Sequence, residues 1–227
     1  MKFAIITFPG TTGEGDMYRA VVDVLNEEAA YVRSEQTSLE GFDAVLIPGG
    51  ASYGSYIRPG AVAKLDPIGG AIRAFAEAGK PVLGVGDGFH ILLELGLLPG
   101  AMKKNKDLSF ICERVELTVE NTETPFTTLY KRGQTVRLPI ATYYGNYECD
   151  ESELKSLEER KQIVFKYKND ITGAKANIAA VTNERGNVLG MMPHPERAVE
   201  SLLGSEDGLV LFQSLVKNWR DTRVATS

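Results

Sequence analysis

The segment Met-Met-Pro-His-Pro-Glu, residues 191–196, is the part of this sequence best suited to moving protons. His194 stands between Pro193 and Pro195. Proline fixes its own φ and biases the residue before it toward extended geometry, so the imidazole is presented from a stiff backbone. Glu196 lies two residues on and shares a face with His194 if the segment is extended. A carboxylate there orients the ring through Nδ1 and stabilises its protonated form. Base and orienter together are the half of a triad that activates a nucleophile. The plainer reading is a capped turn in which Glu196 starts the following helix. Pro48-Gly49-Gly50 is open in the same way, as a tight turn or as an oxyanion hole.

A nucleophile activated by such a pair belongs at a sharp strand-to-helix elbow. Residues 81–100, "PVLGVGDGFHILLELGLLPG", supply the elbow: an apolar strand over 81–85, a run of glycines, then an amphipathic helix. Its centre reads Gly84, Val85, Gly86, Asp87, Gly88, with no Ser and no Cys. Asp87 is expected to cap the helix starting at Gly88, its carboxylate facing the positive helix end. His90, one turn into that helix, either lines a pocket or fills space, and space filling is the expectation.

The elements that must position these residues are legible from their periodicity. "FAIITF" (3–8) and "DAVLIPGG" (43–50) are continuous apolar runs, the pattern of strands buried on both faces of a parallel sheet. Between them Asp16 is placed to cap a helix in which Met17, Ala20, Val21, Val24 and Leu25 recur at helical spacing. A short strand near Tyr31 and Val32 follows. Residues 61–78 carry a helix that Pro67 and Gly69–Gly70 are expected to break or kink. Beyond Gly100 come segments rich in Val, Thr, Ile and Tyr. "FICERVELTVEN", "TPFTTLYKRG" and "QTVRLPIATYY" read as antiparallel strands; "QIVFKYK" follows, and "NERGN" is a turn between two further strands. A last amphipathic helix presents Leu209, Phe212, Val216 and Trp219. The expected fold is α/β: a doubly wound, mainly parallel sheet flanked by helices, with an additional antiparallel region, in one domain over residues 1–227.

Composition sets the limits. The chain has 227 residues and a formal charge of −5, with 43% apolar and 24% charged residues, ordinary for a globular protein. Lys and Arg are scattered, so no nucleic acid partner is expected. No apolar run approaches the ~18 residues of a membrane span. The opening "MKFAIITFPG" reads as a strand and not a signal peptide. Cys112 and Cys149 suggest no disulfide framework, which fits a reducing cytoplasm. The two His lie on separate segments, so no metal site is expected.

The joint occurrence of glycine turn, elbow and His-x-Glu, in that order, resembles the class I glutamine amidotransferases. "KFAIITFPG", "DAVLIPGGASYGSYIRPGA", "LLELGLLPGAMKKNKDLSFIC" and "NVLGMMPHPERAVESLLGSEDGLVLFQSLVKNW" narrow it to the glutaminase subunits of bacterial phosphoribosylformylglycinamidine synthases, of purine biosynthesis. The resemblance covers essentially the whole length. It implies that a Cys at the elbow attacks the side-chain amide of glutamine, with His194 as base and Glu196 as orienter. Backbone amides of Gly49, Gly50 and Asp87 would hold the oxyanion. It implies no cofactor of the subunit's own. Ammonia passes to a large synthetase subunit that uses ATP, and a small third subunit bridges the two in many bacteria.

The sequence departs from that pattern where the chemistry should be. The nucleophile position falls on Gly86. "GDGFH" stands where the family typically has Cys-Asn-Gly-Phe-Gln, "GTTGEGD" replaces a Gly-Ser-Asn-Cys-Asp loop, and "TYYG" at 142–145 replaces His-Gly-Glu-Gly. The expectation is an amidotransferase framework with the glutaminase step absent or severely impaired. The alternatives are a catalytically silent or engineered scaffold that binds partners, and a different hydrolase using His194.

Overall fold

A computed structural model of the chain describes residues 1–55 and 57–226. The first apolar run forms β1 (Lys2–Thr7), in which Phe3 to Ile6 are fully buried. The loop after it is tied to the glycine turn: the N–H groups of Thr12 and Gly13 both donate to the Gly49 carbonyl, at 3.1 and 3.0 Å. Helix α1 (Glu14–Tyr18) starts there, with Gly13 at the cap, and runs on as a π-helix over Arg19–Val24. Asp16 is therefore not the cap. It sits inside the first turn and pairs with Arg197 at 3.1 Å. β2 (Glu28–Arg33) and β3 (Ala44–Ile47) follow.

Helix α2 (Ile68–Glu77) begins immediately after Pro67, which occupies the cap position. Proline ends the preceding segment and starts this helix without losing an internal bond. Gly69 and Gly70 lie within it and do not break it. β4 (Val82–Val85) leads through Gly86 into α3 (Asp87–Glu94). Residues past α3 build a two-stranded sheet from β5 (Ala101–Lys103) and, later, β8 (Asn146–Glu148). Between these two come the long strands β6 (Ile111–Val119) and β7 (Thr135–Thr142).

"TPFTTLYKRG" is not a strand but a series of turns. Phe126 and Tyr130 are buried, and the Thr124 and Thr127 hydroxyls bond each other at 2.7 Å. β-branched residues here serve turn hydrogen bonds, which satisfy the backbone as well as a ladder would. Helix α4 (Glu151–Glu159) has too little apolar periodicity to stand out in the sequence. Its signal is an N-cap: Asp150 accepts the Glu153 N–H at 2.8 Å, while the Glu153 carboxylate accepts the Gly100 N–H at 3.0 Å. β9 (Ile163–Tyr167), β10 (Ile178–Thr182), β11 (Val188–Met191) and α5 (Leu209–Thr226) complete the chain. In α5 Phe212 and Val216 are buried as their spacing predicts, while Leu209 and Trp219 are half-buried.

Nine strands form one sheet in the order β2-β1-β3-β4-β11-β10-β9-β6-β7. From β2 to β11 neighbours pair parallel; from β11 to β7 they pair antiparallel. The sheet is thus the expected doubly wound parallel array with an antiparallel extension. In such sheets, the groove at the carboxyl ends of the parallel strands is where ligands bind.

Candidate active site

Four connections open at the carboxyl ends of β1, β3, β4 and β11, and the end of β7 joins them. After β11 the chain passes through Met192 and Pro193 to His194, whose N–H donates to the Pro139 carbonyl of β7 at 2.7 Å. That bond fixes the ring's position across the sheet's parallel-to-antiparallel junction. His194 Nδ1 lies 2.6 Å from Glu196 Oε1, and both side chains are buried, at 3% and 2% exposure. Pro195 starts a single turn of 3-10 helix (Pro195–Arg197) with Glu196 in its middle and no side chain capping it, so the tripeptide is a short turn, though not the capped one that would begin at Glu196.

The elbow places Gly86 against that imidazole. Gly86 adopts φ 55° and ψ −112°, and its N–H donates to Met191 at 2.9 Å. A Cβ built on it would lie 3.2 Å from His194 Cε1, 3.4 Å from Nε2 and 3.6 Å from the Gly49 Cα. Any side chain at position 86 would therefore point at the free edge of the imidazole. Gly49 packs beneath the same ring; a Cβ there would sit only 2.7 Å from Cε1, so the ring's seat requires glycine. Gly50, Gly86, Asp87 and His194 all line one cavity of about 180 Å³. Cys112 is exposed, Cys149 is half-buried, and neither lines it.

Asp87 differs from expectation. Helix α3 starts at Asp87 itself, Gly86 is at the cap, and no side chain caps it. A carboxylate one residue inside the helix cannot fold back onto the first N–H groups. It turns instead to the neighbouring loop, where Oδ2 accepts the Ser52 N–H at 2.8 Å. Oδ1 lies 3.7 Å from His90 Nδ1. Burial pushes the Asp87 carboxyl up, but His90 and Ser52 outweigh it and hold the group below its ordinary value. His90 lines the cavity rather than merely filling space, and its Nε2 lies 2.8 Å from the Tyr144 carbonyl. Phe110, Tyr143 and Tyr144 form the opposite wall. The sequence points to His90 in the elbow helix and, through the 142–145 stretch that departs from the family pattern, to both tyrosines. Ser52 and Phe110 give no signal of their own, because single loop hydroxyls and aromatics have no periodicity to read.

Among the described residues, no group of three or more His, Cys, Asp or Glu side chains is placed to hold a metal, and no helix is long and apolar enough to cross a membrane.

Comparison with known proteins fits this geometry. The model of the CobB/CobQ-like glutamine amidotransferase domain matches residues 1–213. A chain in the structure of PurLQS from Thermotoga maritima is 41% identical, with 95% of this chain and 97% of that chain covered and a TM-score of 0.88. A glutamine amidotransferase from Thermotoga maritima and the glutaminase domain of Trypanosoma brucei CTPS share the fold, each at 15% identity. Their TM-scores are 0.59 and 0.61; coverage is 99% of this chain and 92% of that one for the first, 96% and 94% for the second. Spanning the whole strand-elbow-His-x-Glu framework, the match shows that this chain belongs to the CobB/CobQ-like glutamine amidotransferase family.

Proposed function

We propose that this chain is an amidotransferase subunit of the phosphoribosylformylglycinamidine synthase type in which covalent glutamine hydrolysis is lost. The observation that carries the reading is the glycine whose missing side chain would meet His194 Nε2 at 3.4 Å. In a family member with a thiol there, His194 would take its proton, Glu196 would stabilise the imidazolium, and backbone N–H groups of Gly49, Gly50 and Asp87 would face the developing oxyanion. With hydrogen alone at position 86, the base has nothing to deprotonate and no acyl-enzyme forms. Removal of a nucleophile leaves only the residual rate that oxyanion contacts and binding supply, so turnover should fall by about 10⁴-fold or more.

The unit acts over its whole length, residues 1–227, without a cofactor of its own. Its partners are a large ATP-using synthetase subunit and a small bridging subunit in the cytoplasm, and the complex runs on free ammonia. The support is the likeness to a chain of PurLQS and the retained framework around the elbow. The test is glutamine-dependent ammonia release by the purified chain, alone and with a synthetase subunit, beside an ammonia-dependent synthetase assay. The expected result is no glutaminase turnover, co-purification with the synthetase, and synthetase activity with ammonium salts. Glutaminase turnover that disappears in His194→Ala would overturn the inactive reading. Ester or amide turnover that His194→Ala removes would favour a different hydrolase.

A further inference from the structure

The antiparallel extension has one buried face and one open face. Along β6 the buried Val115, Leu117 and Val119 alternate with Arg114, Glu116 and Thr118; along β7 the buried Val136 and Leu138 alternate with the exposed Thr135 and Arg137. Successive strand side chains point to opposite faces, so the second set shares the open side. Pairing puts Arg137 opposite Glu116, and both Thr135 and Lys166 opposite Thr118. Lys168, just past β9, donates its N–H to the Glu116 carbonyl at 2.9 Å and so lies across from Glu116 on its other side. Four cations thus ring one carboxylate. Glu116 Oε1 lies 2.9 Å from Arg137 Nη2, and its Oε2 lies 3.9 Å from Lys168 Nζ. Arg114 donates to the neutral Leu203 carbonyl at 2.6 Å, and among the described residues neither Arg114 nor Lys166 has a carboxylate at ion-pair distance. At the borders Glu120 shares a cavity with Arg132, and Asp207 takes the Arg137 backbone N–H at the β7 edge. A merely solvated face intersperses both signs. This one is positive in a chain whose formal charge is −5.

We infer that the open face of β9, β6 and β7 docks a protein partner through an acidic surface, whose carboxylates pair with Arg114, Lys166, Lys168 and Arg137. Those cations stand about 5–7 Å apart, the spacing of side chains on neighbouring strands and at alternate positions of one strand. Carboxylates on a partner's strand or helix repeat at similar intervals. Arg137 and Lys168 already share a carboxylate, that of Glu116, so the face displays the pairing that a partner would extend. Complementary charge of this kind steers encounter and fixes register. A nucleic acid fits less well: the chain as a whole is negative, and about three or four phosphate contacts give only weak, salt-sensitive binding. Docking here uses no chemistry at Gly86, so it stands whether or not the chain hydrolyses glutamine.

Fluorescence anisotropy with the purified full chain tests it, at neutral pH and low ionic strength. The probes are labelled deca-glutamate, labelled oligothymidylate and labelled phosphatidylserine vesicles. The expected result is saturable, salt-sensitive binding of deca-glutamate, tighter than that of either phosphate probe. The double variant Lys166→Gln, Lys168→Gln should weaken it about fivefold, as two exposed ion pairs together allow. Glu116→Gln removes the central negative charge and should tighten it, a change of opposite sign that loss of folding would not produce. Lys217→Gln, which removes a cation from α5, should leave it unchanged. Should the double variant fail to fold, as its thermal melt would show, Glu116→Gln and the probe panel decide. Absence of saturable deca-glutamate binding, an equal loss in Lys217→Gln, or unchanged affinity in both the folded double variant and Glu116→Gln would overturn the docking face. Tighter binding of oligothymidylate or of the vesicles would overturn the acidic protein partner in favour of a phosphate-bearing one.

Discussion

Gly86 holds φ 55°, a region where a Cβ costs about 1–3 kcal/mol, and the built Cβ also presses within 3.2 Å of His194. Gly86→Cys and Gly86→Ala should therefore both lower the melting temperature, by about 2–12 °C for a chain of this size. Equal melting of wild type and both variants would remove the strain argument. The new thiol of Gly86→Cys would also face the imidazole, and should react with iodoacetamide at neutral pH faster than either native cysteine. Burial, followed by the Glu153 charge, pushes the Cys149 thiol up to about 11, whereas Cys112 is exposed. In the wild type a disulfide reagent at pH 8 should titrate Cys112 promptly and Cys149 only as the pH approaches 11. Asp87 gives the pH dependence. Its folded value lies below its ordinary 3.8, so its contribution to stability is present above that pH and is lost as the pH falls beneath it. Asp87→Asn should flatten the acid limb of the stability curve below about pH 4, as followed by urea unfolding at several pH values.

At the scale of elements, α2 and α3 show two uses of glycine. Gly70 is exposed inside α2, with open space around its Cβ position, so Gly70→Ala should stabilise by about 0.5–1 kcal/mol through helix propensity. Gly88 in α3 sits against the backbone carbonyl of Ile47 in β3, and a Cβ there would overlap it. Gly88→Ala should cost about 3 kcal/mol, as an overpacked contact with nowhere to relax. Thermal melts of the two variants should move in opposite directions. The same close approach of α3 to β3 brings the elbow to the Pro48-Gly49-Gly50 turn, with a Cβ built on Gly86 only 3.6 Å from the Gly49 Cα. Sequence and structure part company at this scale too. Helix α4 has little apolar spacing, and only the Asp150 cap marks its start. The 124–133 segment has the composition of a strand and forms turns, because β-branched residues suit turns held by hydroxyl bonds as well as ladders.

Across the whole molecule, the parallel strands β2 to β11 and the antiparallel strands β10 to β7 meet at β11, whose end carries His194. The base is held by both halves, through β11 on one side and the Pro139 carbonyl of β7 on the other. A cut within the antiparallel half should therefore loosen the cavity even though that half contributes no member of the His-Glu pair.

Buried parallel strands, the elbow, the glycine turn and the His-x-Glu spacing were determined by the sequence, because apolar runs and proline or glycine constraints act over a few residues and need no distant partner. That Gly86 is the glycine family resemblance would expect to be Cys was also legible there. The orientation of Asp87 and the placement of His90 were decided by tertiary structure alone. Asp87 turned from its own helix to the Ser52 N–H, and His90 was drawn into the cavity by the Tyr144 carbonyl, 54 residues away in the chain. A buried polar side chain goes where a partner meets it, and partners brought together by folding leave no trace in local spacing.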